Sequence, residues 1–574
     1  MEARVDLTPM KFELPRFETR RSSKTGAPPS SPTSSDGLCS GTLRAFRAVL
    51  AVAALTAAAA QARADALTDY HDALTDHRYE NDHDRPATLP FAMTLPVAPR
   101  FPDRDFNLLD YGGNGDGRTM NRSAFASAIN ACAAAGGGRV VVPPGRWLTG
   151  AIELKSNVNL YLEKGSTVVF STDPKDYLPA VWVRWAGFEC WNYSPLIYAR
   201  DCENIAITGR GAVDGQGERW WYWVKKQAEN ANRLYKMTID NVPVAQRVFA
   251  TPQDCMRPQL IQPINCKNVL VEGITIQSGP FWTLQFVYCN QVIARNLTIQ
   301  TSGPNNDGID LDSCRDALIE GCDIASADDC LCLKSGINEE GRRLHRTTER
   351  VVIRHCVVRA GRGGFVVGSD TSGDIRNVLC YDCDFLGTDV GIRLKSARGR
   401  GGVVENIWCR DIRMHNIGED GITITTFYTA WFGSPTGMAP IFRNITLENI
   451  KIDHALRGIT IYGLPEQPIE NVVLRNLHVG GYKGGLECRD ARNLTFDHVF
   501  IDPYGTNVAM TFKNTHDVVV KNCVSPEGCD TYLVAQGAPT GGIRLEGDDL
   551  TRAQTPFRLE GASAGAVKIQ SSEK

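Results

Sequence analysis

The sequence predicts an all-β solenoid, a single-stranded parallel β-helix capped at its N-terminal end by a helix, and three observations predict it. A short pattern, an asparagine turn followed by alternating aliphatics, recurs as CENIAITG, CKNVLVEGITI, CNQVIARNLTI, RNVLCYDCDF, ENIWCRDIRM, RNITLENIKI, ENVVLRNLHV and RNLTFDHVFI. The first aliphatics are evenly spaced: Val269, Val292 and Ala317 lie 23 and 25 residues apart, and Val472, Leu494 and Val518 lie 22 and 24 apart. Such intervals suit one coil of short strands joined by Asn, Gly and Asp turns. The coils contain no helical stretch of ten or more residues, which a doubly wound α/β sheet would require.

Taken in order, the first element is a leader. Arg44 and Arg47 precede the apolar run Ala48 to Ala60, and Ala62-Arg63-Ala64 supplies a small-x-small cleavage pattern, the layout of a secretory signal peptide. The run is shorter than the roughly 20 apolar residues of a membrane span. Cleavage near Ala64 and export, to the periplasm or outside the cell, are therefore expected, with no membrane contact afterwards. Residues 1–64 read as leader and signal peptide, 65–104 as an N-terminal extension, 105–535 as the β-helix domain and 536–574 as a C-terminal tail. After Asp105 the chain reads FNLLDYGGNGDG, and the Ala-rich stretch Ser123 to Ala135 follows. An isolated solenoid end exposes its apolar core, so this stretch is expected to form an amphipathic cap over the first rung.

A second strand column aligns beside the first: residues 309–313, 331–335, 365–369, 392–396 and 422–426. Its alternate aliphatics face inward, so Asp310, Asp312, Cys332, Lys334, Arg393 and Lys395 face outward, because strand side chains alternate with a period of two. One reading is a solvated face on which Asp312 neutralises Lys334 on the next rung. Eighteen cysteines in an exported chain raise the question of disulfides. Cys202, Cys266, Cys289, Cys314 and Cys380 each stand just before a strand, as buried thiols stacked rung on rung would. Cys523 and Cys529 form the best disulfide pair. No C-x-x-C spacing is accompanied by histidines, so neither a metal site nor a cofactor is expected. The net charge of −3 offers no global basic field for nucleic acid, and a polyanionic substrate would have to meet a local basic cleft.

The chemistry-bearing segments are NNDGID at 305–310 and ADDC at 327–330, with Asp307 placed 21 and 22 residues before Asp328 and Asp329. That is one coil, and neighbouring strands lie about 4.8 Å apart. Three carboxyls so close cannot all ionise cheaply, so one is held protonated as a general acid. Glycoside hydrolysis needs this combination, an acid for the leaving oxygen and a carboxylate base for water. Asp in such contexts also makes turns, but three converging beside a basic pair exceed what turns require. Arg393 and Lys395, two to three rungs away, would bind a carboxylate-bearing sugar.

These residues resemble glycoside hydrolase family 28, the polygalacturonases, over roughly Phe106 to Val524. The family's Asn-Thr-Asp motif is similar to Asn305-Asn306-Asp307, its Asp-Asp motif to Asp328-Asp329, and its Arg-Ile-Lys motif to Arg393-Leu394-Lys395. The resemblance implies a right-handed, pectin lyase-like β-helix and an inverting hydrolysis. Asp328 would be the general acid, Asp307 and Asp329 would hold and activate water, and Arg393, Lys395 and Asn305 would bind substrate. Where many members have Gly-His-Gly, this chain has Gly361-Arg362-Gly363-Gly364, so Arg362 stands in the histidine's place. Arginine holds a carboxylate but does not shuttle a proton near neutral pH, so either substrate preference has shifted or activity is reduced, and a retained activity with altered specificity is the expectation. The stretches NYSPLIYARDCENIAITGRGAVDGQG, SGPFWTLQF and KSARGRGGVVENI resemble the exo-acting bacterial branch. Loops closing one end of the cleft would explain exo action, with Trp182, Trp185, Trp191, Trp220 and Trp221 either as wall or sugar-stacking residues or as loop aromatics packed on the cap.

The expected partner is polygalacturonate or a related pectic polysaccharide, met by a monomer. Alternatives are endo action, a rhamnogalacturonan or xylogalacturonan backbone, a pectate lyase whose calcium the aspartates would bind, and a non-catalytic carbohydrate-binding β-helix.

Overall fold

Each coil of the chain contributes one strand to each of three parallel sheets. The computed structural model describes residues 88–570 apart from 430, 431, 434, 435, 482 and 503–506, so the expected signal peptide lies outside the described residues. A representative coil runs Arg315–Glu320 in the first sheet, Asp323–Ala325 in the second and Asp329–Lys334 in the third. Register is kept from coil to coil. Val292, Ala317 and Val351 align in the first sheet, and Ile299, Ile324 and Val358 in the second. In the third, Ile309, Leu331, Phe365, Ile392 and Ile422 align, which is the column read from the sequence. The fold is the expected right-handed parallel β-helix, with right-handed crossovers between parallel strands.

The recurring asparagine has a physical cause. Asn377, Asn406, Asn444, Asn471 and Asn493 all sit near φ +55°, a left-handed conformation that asparagine tolerates better than most residues. Their amides form a ladder, each Nδ2 donating to the Oδ1 of the coil before at 3.1, 3.1, 2.9 and 2.6 Å. Inside, the aliphatics of all three sheets make one continuous core. Among the cysteines, Cys202, Cys266, Cys289 and Cys314 stack as expected, each immediately before a strand of the first sheet. Cys380 departs from the expectation, because it lies within the strand Ile375–Leu386, level with Cys409 of the next coil. Cys523 and Cys529 are not a disulfide: both are free and buried, like every other described cysteine.

The cap helix spans Arg122–Ala134, within a residue of expectation, and buries Ala124, Phe125, Ala128, Ile129 and Cys132 against the first coil. The expected tail from 536 is instead more solenoid. Strands Gly541–Glu546, Thr555–Glu560 and Val567–Gln570 pair in parallel with the coils above, because aliphatics such as Ile543 and Leu545 continue the buried core. The described part of the N-terminal extension lies along the outside of the first sheet, where Ala98 and Phe101 pack on Ala206, Leu270 and Ile293.

Insertions break the coil spacing, among them a hairpin between the strands at 166–170 and 197–200. Between the strands at 212–214 and 261–264 stands a helix, Val224–Ile239, of 16 residues. It packs with the antiparallel hairpin Val181–Trp185 and Phe188–Asn192 and with Phe249 into a second apolar cluster that includes Phe281, Trp282 and Ile337. This lobe sits over the outward face of the third sheet.

Candidate active site

The expected carboxylates meet. Asp307, Asp328 and Asp329 line one cavity of about 120 Å³ together with Lys334, Lys395, Asn305, Trp282, Ala186, Ile337, Ser369, Asp370 and Arg400. The NND loop is built to put Asp307 there. Asn306 is fully buried and pins the loop: its Oδ1 accepts from Gly303 N at 2.8 Å, and its Nδ2 donates to Gly279 O and Phe281 O at 2.9 Å each. Asn305 takes φ +56° and accepts 2.8 Å from Arg257 Nη2. Gly308 is required next, since a Cβ there would stand 2.4 Å from Cys330 O on the following rung.

The outward face of the third sheet is charged but not solvated. Asp310, Asp312, Cys332 and Lys334 are all buried, because the lobe covers them. The expected Asp312–Lys334 pair does not form. Asp312 is bound at 2.9 Å by Arg184 of the hairpin, which frees Lys334 to reach Asp307 Oδ2 at 3.1 Å and Asp310 Oδ1 at 3.4 Å. Asp329 takes the other cations, Lys395 Nζ at 2.6 Å and Arg393 Nη1 at 3.4 Å. Two basic stations therefore divide the acids between them.

The consequences for proton occupancy differ from one acid to the next. Burial, reinforced by the charge of Asp329, raises the carboxyl of Asp328 above its ordinary range, as a general acid requires. At Asp329 burial pushes upward too, but Lys395, Lys334 and Arg393 together outweigh it and hold the group low, as an anion. Asp307 is pushed well up, first by burial and then by Asp310, Asp328 and Asp329, against the opposing pull of Lys334. Burial also raises Asp310 from 3.8 to about 7.

Both oxygens of Asp310 are buried without a well-formed hydrogen bond, the Lys334 ammonium standing 3.4 Å from Oδ1, and burial so incompletely compensated costs stability when the group ionises. The folded state keeps this proton to a higher pH than the unfolded chain does, so stability is lost as pH rises from about 4 through 7. Asp310→Asn is expected to raise Tm at pH 8 by roughly 2 °C and to leave it unchanged at pH 4. Thermal melts at the two pH values check this, and an equal shift at both would rule out ionisation as the cause.

Asp307, Asp310 and Cys332 also place one possible metal-ligand atom each within 4.8 Å of one another. The Lys334 ammonium lies against both carboxyls of that group, so the positive charge a divalent ion would bring is already supplied by the chain. The set does not fit calcium, which takes six to eight oxygen ligands.

Other expectations need adjustment. Arg362 is exposed at the rim; its backbone N donates to Asp328 O at 2.9 Å and its charge pulls modestly on Asp328. The residue in register with Asp329 one rung on is Gly363, where a Cβ would stand 3.4 Å from Asp329 Oδ1. Strand pairing thus sets Gly363 beside Asp329, while Arg362 meets Asp328 through its backbone. Trp185 and Trp220 are fully buried and are core residues, and Trp221 is tied by its Nε1 to Gly279 O at 2.9 Å. The aromatic wall is Trp282, the end of a Trp185–Phe281–Trp282 stack, with Lys334 Nζ 4.4 Å from its ring centre.

The sequence pointed to Lys334 only as a partner of Asp312, and it gave no role to Asp310, Trp282, Arg257 or to Tyr428, whose ring lies beside Arg393 and Lys395. The outward parity of Lys334 and Asp310 was the available signal for those two. Arg257, fully buried, donates to Asn305 Oδ1, Gln227 Oε1, Pro280 O and Pro304 O, and burial without a carboxylate partner lowers it to about 9; nothing in its local sequence marks it.

Comparison with known proteins places the chain in a family. The chain is 28% identical over 392 residues, 65% of its length and 74% of the relative's, to a probable polygalacturonase of Vitis vinifera. It is 26% identical over 430 residues, 68% of its length and 71% of the relative's, to an exo-poly-alpha-D-galacturonosidase of Dickeya chrysanthemi. Among solved structures, a hyperthermoactive exopolygalacturonase from Thermotoga maritima is 38% identical, with a TM-score of 0.64 over 67% of this chain and 89% of that one. The family model described as glycosyl hydrolases family 28 matches residues 132–499, and the chain belongs to that family of glycoside hydrolases.

Proposed function

We propose that the protein is an exported exo-polygalacturonase that hydrolyses α-1,4-galacturonosidic bonds with inversion, taking units from one end of the chain. The observation that carries the exo reading is the shape of the acid cavity. Its roughly 120 Å³ falls below the ~300 Å³ of ordinary ligand pockets, and it is walled by the hairpin at Ala186 and by Ile337, the residue that opens the short helix Asn338–Leu344. Such a space favours a chain end over an internal run of sugars. The exo-acting relatives from Dickeya chrysanthemi and Thermotoga maritima support the same reading.

In this mechanism Asp328 protonates the leaving oxygen, and water attacks from the opposite face. Asp329 is the better-supported base, since Lys395 and Arg393 keep it anionic, and Asp307 holds the water by hydrogen bonding. Arg393 and Lys395 also meet a galacturonate carboxylate, with Asn305 and the rim residue Arg362 contributing further polar contacts. Digestion of polygalacturonate with the purified protein, read as product length against time, tests the proposal. Mono- or digalacturonate alone is expected from the first minutes. A broad early ladder would refute exo action, and unsaturated products absorbing in the ultraviolet would refute hydrolysis.

A further inference from the structure

We propose that Arg489, held between Phe427 and Tyr462, forms a second uronate-binding station on the third sheet, which grips the polymer some three rungs beyond Lys395. The inference rests on the polygalacturonate reading above and adds where the rest of the substrate lies.

Register sets the position. Lys395, Thr425, Tyr462 and Arg489 occupy successive rungs of one column, so the two basic residues are separated by roughly 14 Å at the usual strand spacing. All four face away from the core, alternating with Leu394, Ile424, Ile461 and Cys488, which are buried. Of the two rungs between the cations, the first carries the short side chains Thr423 and Thr425 and the second Thr460 and Tyr462.

The two stations are built alike. Arg393 and Lys395 lie 5.5 and 5.3 Å from the ring centre of Tyr428. Arg489 lies 4.7 Å from Phe427 and 4.8 Å from Tyr462. Phe427 and Tyr428 are consecutive, so a single turn, fixed where Phe427 N donates to Thr425 Oγ1 at 3.0 Å, supplies one ring to each station. At the first station the cations are committed to Asp329. At the second, Arg489 is paired with Asp490, at 3.4 Å from Nε, Glu487 on the same strand is taken by Tyr462 Oη, and the terminal nitrogens of Arg489 have no hydrogen-bond partner among the described residues.

Phe427 is 55% exposed, so one face of its ring is open to a ligand. A guanidinium fixed by two rings presents a planar fork suited to a carboxylate, and an exposed aromatic face suits the apolar side of a sugar ring. Both fit a polymer that carries one carboxylate per sugar. Lys513 continues the column on the next rung, exposed and without an ion pair among the described residues.

The test is calorimetric titration of the full chain carrying Asp328→Asn, which slows turnover, with digalacturonate and with hexagalacturonate. Adding Arg489→Ala is expected to weaken hexagalacturonate binding about tenfold and to leave digalacturonate binding unchanged. Phe427→Ala, at a surface position, is expected to act the same way to a smaller degree, and Arg489→Lys to restore part of the loss. Equal weakening for both ligands, or no change in the preference for the longer one, would overturn the distal station while leaving the catalytic reading intact. Failure of the Asp328→Asn protein to bind either ligand would overturn both.

Discussion

Asp328→Asn is expected to lower kcat on polygalacturonate by about 10³-fold, within the range that a positioned general acid contributes, while KM and Tm stay near the wild-type values. The cause is specific to the proton. Burial and the neighbouring Asp329 anion keep Asp328 protonated above the ordinary carboxyl range, and asparagine preserves its size and neutrality but has no proton to give. The pH profile supplies a second readout. In the wild type, activity falls at high pH as the acid ionises, and the variant's residual activity should lose that alkaline limb. Steady-state kinetics across the pH range measures both. Turnover that is unchanged by the substitution would remove the hydrolytic role and favour a carbohydrate-binding β-helix without catalysis.

Lys334→Met is expected to move the whole pH–activity bell upward by roughly one unit and to cut turnover at pH 5 more than at pH 7, since a cation within a few ångströms depresses a carboxyl by about 1–3 units. The sign follows from its neighbours. Lys334 lies 3.1 Å from Asp307 and 3.4 Å from Asp310, and its charge lowers Asp307, Asp328 and Asp329 alike. Without it the base ionises later, which shifts the acidic limb upward, and the acid stays protonated longer, which shifts the alkaline limb the same way. Methionine keeps much of the length and the contact with Trp282. Loss of amplitude with both limbs fixed would show that Lys334 only supports the fold.

Some of the site was legible because a solenoid turns sequence spacing into distance. One coil is a nearly constant number of residues, so the 21- and 22-residue offsets between Asp307 and the Asp328–Asp329 pair translate directly into neighbouring rungs. Alternation within the third sheet likewise identified which residues leave the core. Both inferences use only local periodicity, and the structure retains both.

What the periodicity could not carry was the identity of partners brought by the inserted hairpin and helix. Arg184 reaches Ser313 Oγ across 129 positions of sequence and takes Asp312 with it, and this redirects Lys334 to Asp307 and Asp310. The same lobe buries a face that alternation alone leaves solvated, and burial is what lifts Asp310 to about 7. The motif at 361–364 marks Arg362 by its resemblance to a family pattern, whereas strand register sets Gly363 beside Asp329.

By itself the sequence determined the parallel β-helix, the inward and outward faces of its third sheet, and the meeting of three aspartates, because each follows from repeats a few residues to one coil long. Only the tertiary structure decided which cation serves which acid and which aromatic lines the cavity. Those pairings depend on long-range packing of a hairpin and a helix that obey no repeat, and in a buried site the nearest charge, not the nearest residue in sequence, governs where a proton resides.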